Sequence, residues 1–185
     1  MKRVMWAVTV LVLAQAGVAS AQTLWRGPEI RPWVGELIPV GAQRDDFQET
    51  PMFGLQAAVS FTPSLQVVGS FGWAPGTDKL GVADNGVNVL DYNLGLELSP
   101  LQGGLRPFVG VGAGARTFLY GPATLMSQTC EAGYGAAGIE LQVARTAFRV
   151  EGRGHAFCFR SPTTGTGSVN RNDIGVSFGV AYHLR

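Results

Sequence analysis

Between Val87 and Ala115 the chain reads VNVLDYNLGLELSPLQGGLRPFVGVGAGA, two alternating runs joined by a turn. Leu90, Tyr92, Leu94, Leu96 and Leu98 share one parity; Val89, Asp91, Asn93, Gly95 and Glu97 share the other. Successive side chains of a strand point to opposite faces, so each run predicts a strand with one apolar and one polar face. Ser99 to Gly104 supplies a Pro/Gly turn. Pro107, Val109, Val111, Ala113 and Ala115 then alternate with Arg106, Phe108, Gly110, Gly112, Gly114 and Arg116. Each arm reaches roughly the 9–11 residues with which a tilted strand crosses a bilayer. Charges collect with glycines on the polar parity, as a narrow lumen filled by side chains requires.

The same period recurs along the chain. Strands are expected over Ile30–Val40, Met52–Phe61, Leu65–Trp73, the two arms above, Glu131–Val143, Ala147–Phe157 and the run that ends the sequence. In that last run Ile174, Val176, Phe178, Val180, Tyr182 and Leu184 oppose Asp173, Gly175, Ser177, Gly179, Ala181 and His183. The first strand has apolar residues on both parities; its expected outward set is Trp33, Gly35 and Leu37, with Val34, Glu36 and Ile38 inward. Connections alternate long and short, with Gly41–Pro51 expected to be a polar, solvated loop. Eight strands with alternating connections, apolar outside and polar inside, predict an all-β fold: an eight-stranded antiparallel up-and-down transmembrane β-barrel. A soluble eight-stranded barrel has the opposite polarity.

Lys2 and Arg3 precede an uncharged apolar stretch, Val4 to Val18, and Ala19-Ser20-Ala21 fits a small-residue cleavage site. Residues 1–21 are therefore expected to be a cleaved signal peptide and residues 22–185 the barrel domain, exported to the outer membrane. The chain carries 14 basic and 13 acidic residues, and removing Lys2 and Arg3 leaves 12 against 13. Lys79 is then the only lysine, and no basic stripe points to nucleic acid.

The motifs RPFVGVGAGA (Arg106–Ala115), FRVEGR (Phe148–Arg153) and NDIGVSFGVAYHLR (Asn172–Arg185) resemble those of small eight-stranded outer-membrane barrels, the OmpA-like and opacity-protein-like domains. The resemblance spans nearly all of the mature chain. It implies a monomer surrounded by outer-membrane lipids, inserted by the barrel-assembly machinery, with outer loops free to meet an extracellular ligand. The chain departs from the family at Gly154-His155, where an acidic residue and an aromatic are usual, and at Leu184-Arg185, where an aromatic usually closes the chain.

The expected inward charges are Glu36, Asp91, Glu97, Glu140, Glu151 and Asp173 with Arg106, Arg116, Arg149, Arg153 and His155. An eight-stranded lumen has room only for side chains, so these groups must pair with one another or with water. The expected role is a structural plug in a wall or surface-interaction protein; a narrow pore for ions or small solutes is the alternative. A lipid A-modifying enzyme is a more distant alternative. Resemblance to the barrel deacylases would need His and Ser two apart on one strand, but Ala156 and Phe157 follow His155, and Ser161 comes later. No catalytic residue is therefore assigned.

Gly110–Gly114 is not followed by a helix and carries no cofactor signal, and two cysteines with two distant histidines do not make a metal site. Cys130 and Cys158 are a candidate disulfide in an oxidising compartment, although strict alternation puts them on opposite faces. Trp33, Phe61, Trp73, Tyr120, Phe157, Phe159 and Tyr182 fall near strand ends, as interfacial aromatic belts would.

Overall fold

The structure is a computed structural model that describes residues 27–77, 79, 86–101, 103–121, 125–160 and 168–184. The expected leader over residues 1–21, and Ser161, lie outside the described residues. Eight antiparallel strands pair in chain order and close on themselves. They are β1 (Glu29–Val40), β2 (Thr50–Ser60), β3 (Leu65–Thr77), β4 (Gly86–Leu98), β5 (Leu105–Tyr120), β6 (Gln128–Val143), β7 (Thr146–Arg160) and β8 (Ser168–His183). Closure comes from β1 pairing with β8, for example Val34 with Phe178 and Ile38 with Ile174. A closed sheet leaves no strand edge, so every ladder group can be satisfied without water.

The short connections after β2, β4 and β6 share one end of the barrel with Gly27 and Leu184; the long ones share the other. Outward positions carry Leu55, Phe71, Leu94, Leu96, Val111, Ile139, Val150 and Phe178, all exposed, around the whole circumference. An apolar surface of that extent is unstable in water and matches a hydrocarbon surround.

Several strands run longer than alternation suggests, because hydrogen-bond pairing continues past the apolar band towards the long-loop end. There β3 reaches Thr77, β5 reaches Tyr120, β6 starts at Gln128 and β7 runs on to Arg160.

Two expectations are corrected here. The parity of β1 is reversed: Glu29, Arg31 and Leu37 are buried inside, whereas Val34 and Glu36 are exposed outside. Apolar residues on both faces left periodicity unable to choose, and the lumen partners of Arg31 decide it. The Gly41–Pro51 connection is not wholly solvated. It contains one turn of helix, α1 (Gln43–Asp46), after which Phe47 turns into the barrel mouth and is buried.

Candidate functional site

The lumen is packed in three layers. At the long-loop end lies an apolar layer of Leu37, Met52, Val87, Val89, Phe118, Phe157 and Phe159, with Phe47 inserted from above. The Phe47 ring stacks on Phe118 with centroids 5.5 Å apart and meets Phe159 edge-on at 5.7 Å.

Beneath it, Arg116 of β5 is fully buried and pairs with Asp173 of β8 and, at 3.4 Å, with Asp91 of β4. His155 of β7 bridges the same two carboxylates, its Nδ1 3.1 Å from Asp173 and its Nε2 3.2 Å from Asp91. Asn93 donates to Asp91 at 2.7 Å. The Arg116 guanidinium lies 4.7 Å from the Phe157 ring centre, joining the polar layer to the apolar one.

The third layer occupies the short-turn half. Arg149 of β7 reaches Glu97, Glu140 at 3.6 Å and Glu151 at 2.8 Å. Arg153 pairs with Glu151 at 2.7 Å and donates to the Ser70 hydroxyl at 3.0 Å. Arg31 of β1 joins Glu97 at 3.5 Å to Glu29 at 2.7 Å, and His183 lies 3.0 Å from Glu29. Gln66 also donates to Glu97. Aromatic faces complete the packing, with Arg153 over Tyr134 at 4.3 Å. Burying charge is costly unless each ion is paired and hydrogen-bonded, and here each acid is shared by more than one donor. Between the two polar layers a small space of about 20 Å³ remains, lined by Gln56, Asp91, Glu151, Arg153, His155 and Ser177 among others. That is room for one water, not for a continuous channel.

No family model matches the sequence, and no curated protein matches it significantly. Solved structures do match the fold. Neisserial surface protein A superposes with a TM-score of 0.68 at 9% identity, covering 85% of this chain and 97% of that one. The outer membrane protein OprG from Pseudomonas aeruginosa gives 0.57 at 14% identity, covering 89% and 100%. Ail, the attachment invasion locus protein of Yersinia pestis, gives 0.51 at 14% identity, covering 86% and 99%. The fold is that of the small eight-stranded outer-membrane barrels.

Within this barrel the structure brings together Asp91, Arg116, His155 and Asp173 in one cluster and Glu97, Glu140, Arg149, Glu151 and Arg153 in another. Arg106 sits at the margin, half-buried and 4.0 Å from Glu140. Glu36 belongs to neither; it faces outward with the rest of its parity on β1.

Charges absent from the expected set are Glu29 and Arg31, and alternation would have found them had the parity of β1 been known. His183 faces Glu29 because barrel closure sets Glu29 opposite His183.

The aromatic belt is only partly realised. Phe61, Trp73 and Tyr182 are exposed on the outer wall, but Tyr120, Phe157 and Phe159 are buried inside and Trp33 packs against the inner apolar layer. Their position near strand ends was legible; their facing follows the strand parity. Glycines of the lumen parity leave space for large inner rings: a Cβ at Gly95 or Gly112 would strike Tyr134, and one at Gly138 would strike Phe108.

Cys130 and Cys158 are unbonded thiols, Cys130 facing inward and interacting with Cys158. The β6–β7 ladder ends at Ala132–Phe157. Beyond it the Gln128 carboxamide clasps the Arg160 backbone, donating to its carbonyl at 2.6 Å and accepting its N–H at 3.1 Å.

Proposed function

We propose that the protein is an integral outer-membrane barrel with a structural or surface-interaction role, its lumen closed by a salt-bridge plug. The observation that carries this reading is the layered packing of the lumen, in which ion pairs from β1, β4, β5, β6, β7 and β8 join across the axis. Such a wall holds together without transporting anything, and leaves the long loops to meet a partner outside. The short turns then face the periplasm, outer-membrane lipids surround the apolar band, and the chain works as a monomer inserted by the barrel-assembly machinery after its leader is cleaved. The reading is non-catalytic: His155 is held between two buried carboxylates, away from the lipid face where a lipid-modifying pair would have to stand.

Membrane fractionation with gel mobility that changes on heating tests the location. A soluble periplasmic protein would refute it. A narrow pore is the second reading: rearranged ion pairs would have to widen the space of about 20 Å³ between the two charge layers to let water and ions through. Planar-bilayer recordings separate the two. The plugged wall gives no unitary conductance, and steady ionic steps from pure protein would replace it by the pore.

A further inference from the structure

The long-loop mouth holds something a salt-bridge plug does not need, an aromatic cup whose filling is a single side chain from a loop. Phe118 and Phe159 form its walls, Leu37 and Val87 complete them, and the Phe47 ring fills it so closely that only about 10 Å³ is left over. The other side of Phe47 borders an open cleft of about 520 Å³, rimmed by Arg44, Glu49 and Lys79. Phe47 is thus the partition between an outer vestibule and an inner apolar chamber. Rotation about its own side-chain bonds would carry the ring from one to the other while α1 stays in place.

A second observation is independent of the ring packing. Gln43, on α1, lines the same chamber and is only 3% exposed, and its carboxamide oxygen is buried without a hydrogen-bond partner among the described residues. A buried acceptor left unpaired is destabilising, and a donor brought by a ligand would satisfy it. The chamber floor offers no free charge: Asp173, which reaches it, is already held by Arg116 and His155. An ionic ligand would bury an unpaired charge there, whereas a neutral one would not.

We infer that this cup is a binding site for a small neutral aromatic molecule bearing one hydrogen-bond donor, of the phenol or indole class. The ligand ring takes the place of the Phe47 ring between Phe118 and Phe159, and its O–H or N–H donates to the Gln43 oxygen. The inference gives a ligand class to the long-loop end and rests on the reading that this end meets the surroundings.

The methionines provide the probe. The chain outside the expected leader has two: Met52, buried in the same apolar layer as Phe47, Phe118 and Phe159, and Met126, which is 75% exposed in a loop. The protein is labelled with ¹³C-methyl methionine, placed in lipid nanodiscs and titrated with phenol and with toluene. The expected result is a saturable shift of the Met52 methyl with Met126 unmoved, and phenol binding about tenfold tighter than toluene. Gln43→Leu should abolish the preference for phenol, and Phe47→Ala, checked for folding by heat-modifiable mobility, should tighten both ligands by removing the internal competitor. A Met52 methyl that stays put in the wild type overturns the site. Parallel, unsaturable drift of both methyls does the same, because it reports partition into lipid. Equal affinity for phenol and toluene in the wild type overturns the role of Gln43. Nanodisc binding reads the cup whichever way the barrel is oriented, so its failure leaves the surface-protein reading to the fractionation experiment.

Discussion

The guanidinium carbon of Arg149 lies 3.4 Å from the centre of the Phe108 ring, while its nitrogens reach Glu97, Glu140 and Glu151. One cation from β7 thereby holds carboxylates from three strands and covers an aromatic face of a fourth. Removing it would leave three buried acids short of a partner, and breaking a buried pair this way costs about 3–5 kcal/mol. Arg149→Met should lower the unfolding free energy in urea by at least that order, and adding Glu97→Gln to it should recover part of the loss. A single-mutant loss below about 1 kcal/mol, the size of an exposed pair, would mean the layer is not cooperative.

The reversed parity of β1 makes Glu36 and Arg31 opposites in consequence. Glu36 stands on the outer wall and has no lumen role, so Glu36→Leu should change stability by no more than about 1 kcal/mol, in either direction. Arg31 is 1% exposed and bonded to both Glu29 and Glu97, so Arg31→Leu should cost several-fold more. Paired urea titrations in the same lipid decide the matter; a larger loss from Glu36→Leu would restore the parity expected from sequence.

Gly112 sits under the Tyr134 ring, and a Cβ there would also meet the Leu94 carbonyl of the neighbouring strand. Backbone cannot yield as a flexible side chain can, so Gly112→Val should destabilise by about 1–3 kcal/mol through overpacking. Gly154 faces outward with open space around its Cβ position, and Gly154→Val should be near neutral. The folded fraction on unheated gels compares the two directly.

Cys130 and Cys158 are neighbours beyond the last ladder pair of β6 and β7, where the Gln128 clasp replaces regular pairing. Each stays paired on its far side, Cys130 with Arg116 of β5 and Cys158 with Asn170 of β8, yet the two thiols interact across the β6–β7 seam, so oxidation during export should join them. Intact mass without reductant should be lower by two hydrogens, and alkylation of two thiols in the native protein would contradict the bridge.

The alternation in Leu90–Arg116, in Ala147–Phe157 and in Asp173–Leu184 determined the polarity of the wall and the facing of Asp91, Glu97, Arg116, Arg149 and Asp173. Period-2 hydrophobicity is a local property, and each of these strands has a single apolar parity from which to read it. Glu36 and Phe47 were not legible for a different reason in each case. On β1 both parities are apolar, so only pairing with β2 and β8 and the buried partners of Arg31 choose a face. In the first long connection, an isolated Phe among Arg44, Asp45, Asp46 and Glu49 carries no periodic signal; its burial depends on rings that β5 and β7 bring to the mouth. The same holds for the encounter of Glu29 with His183, more than 150 residues apart in sequence, which exists only because the barrel closes. Outside β1, sequence alone determined which residues could line a lumen, since alternation is written strand by strand. Only the tertiary structure decided which of them meet, because partners across the axis are set by closure and register, which no single strand contains.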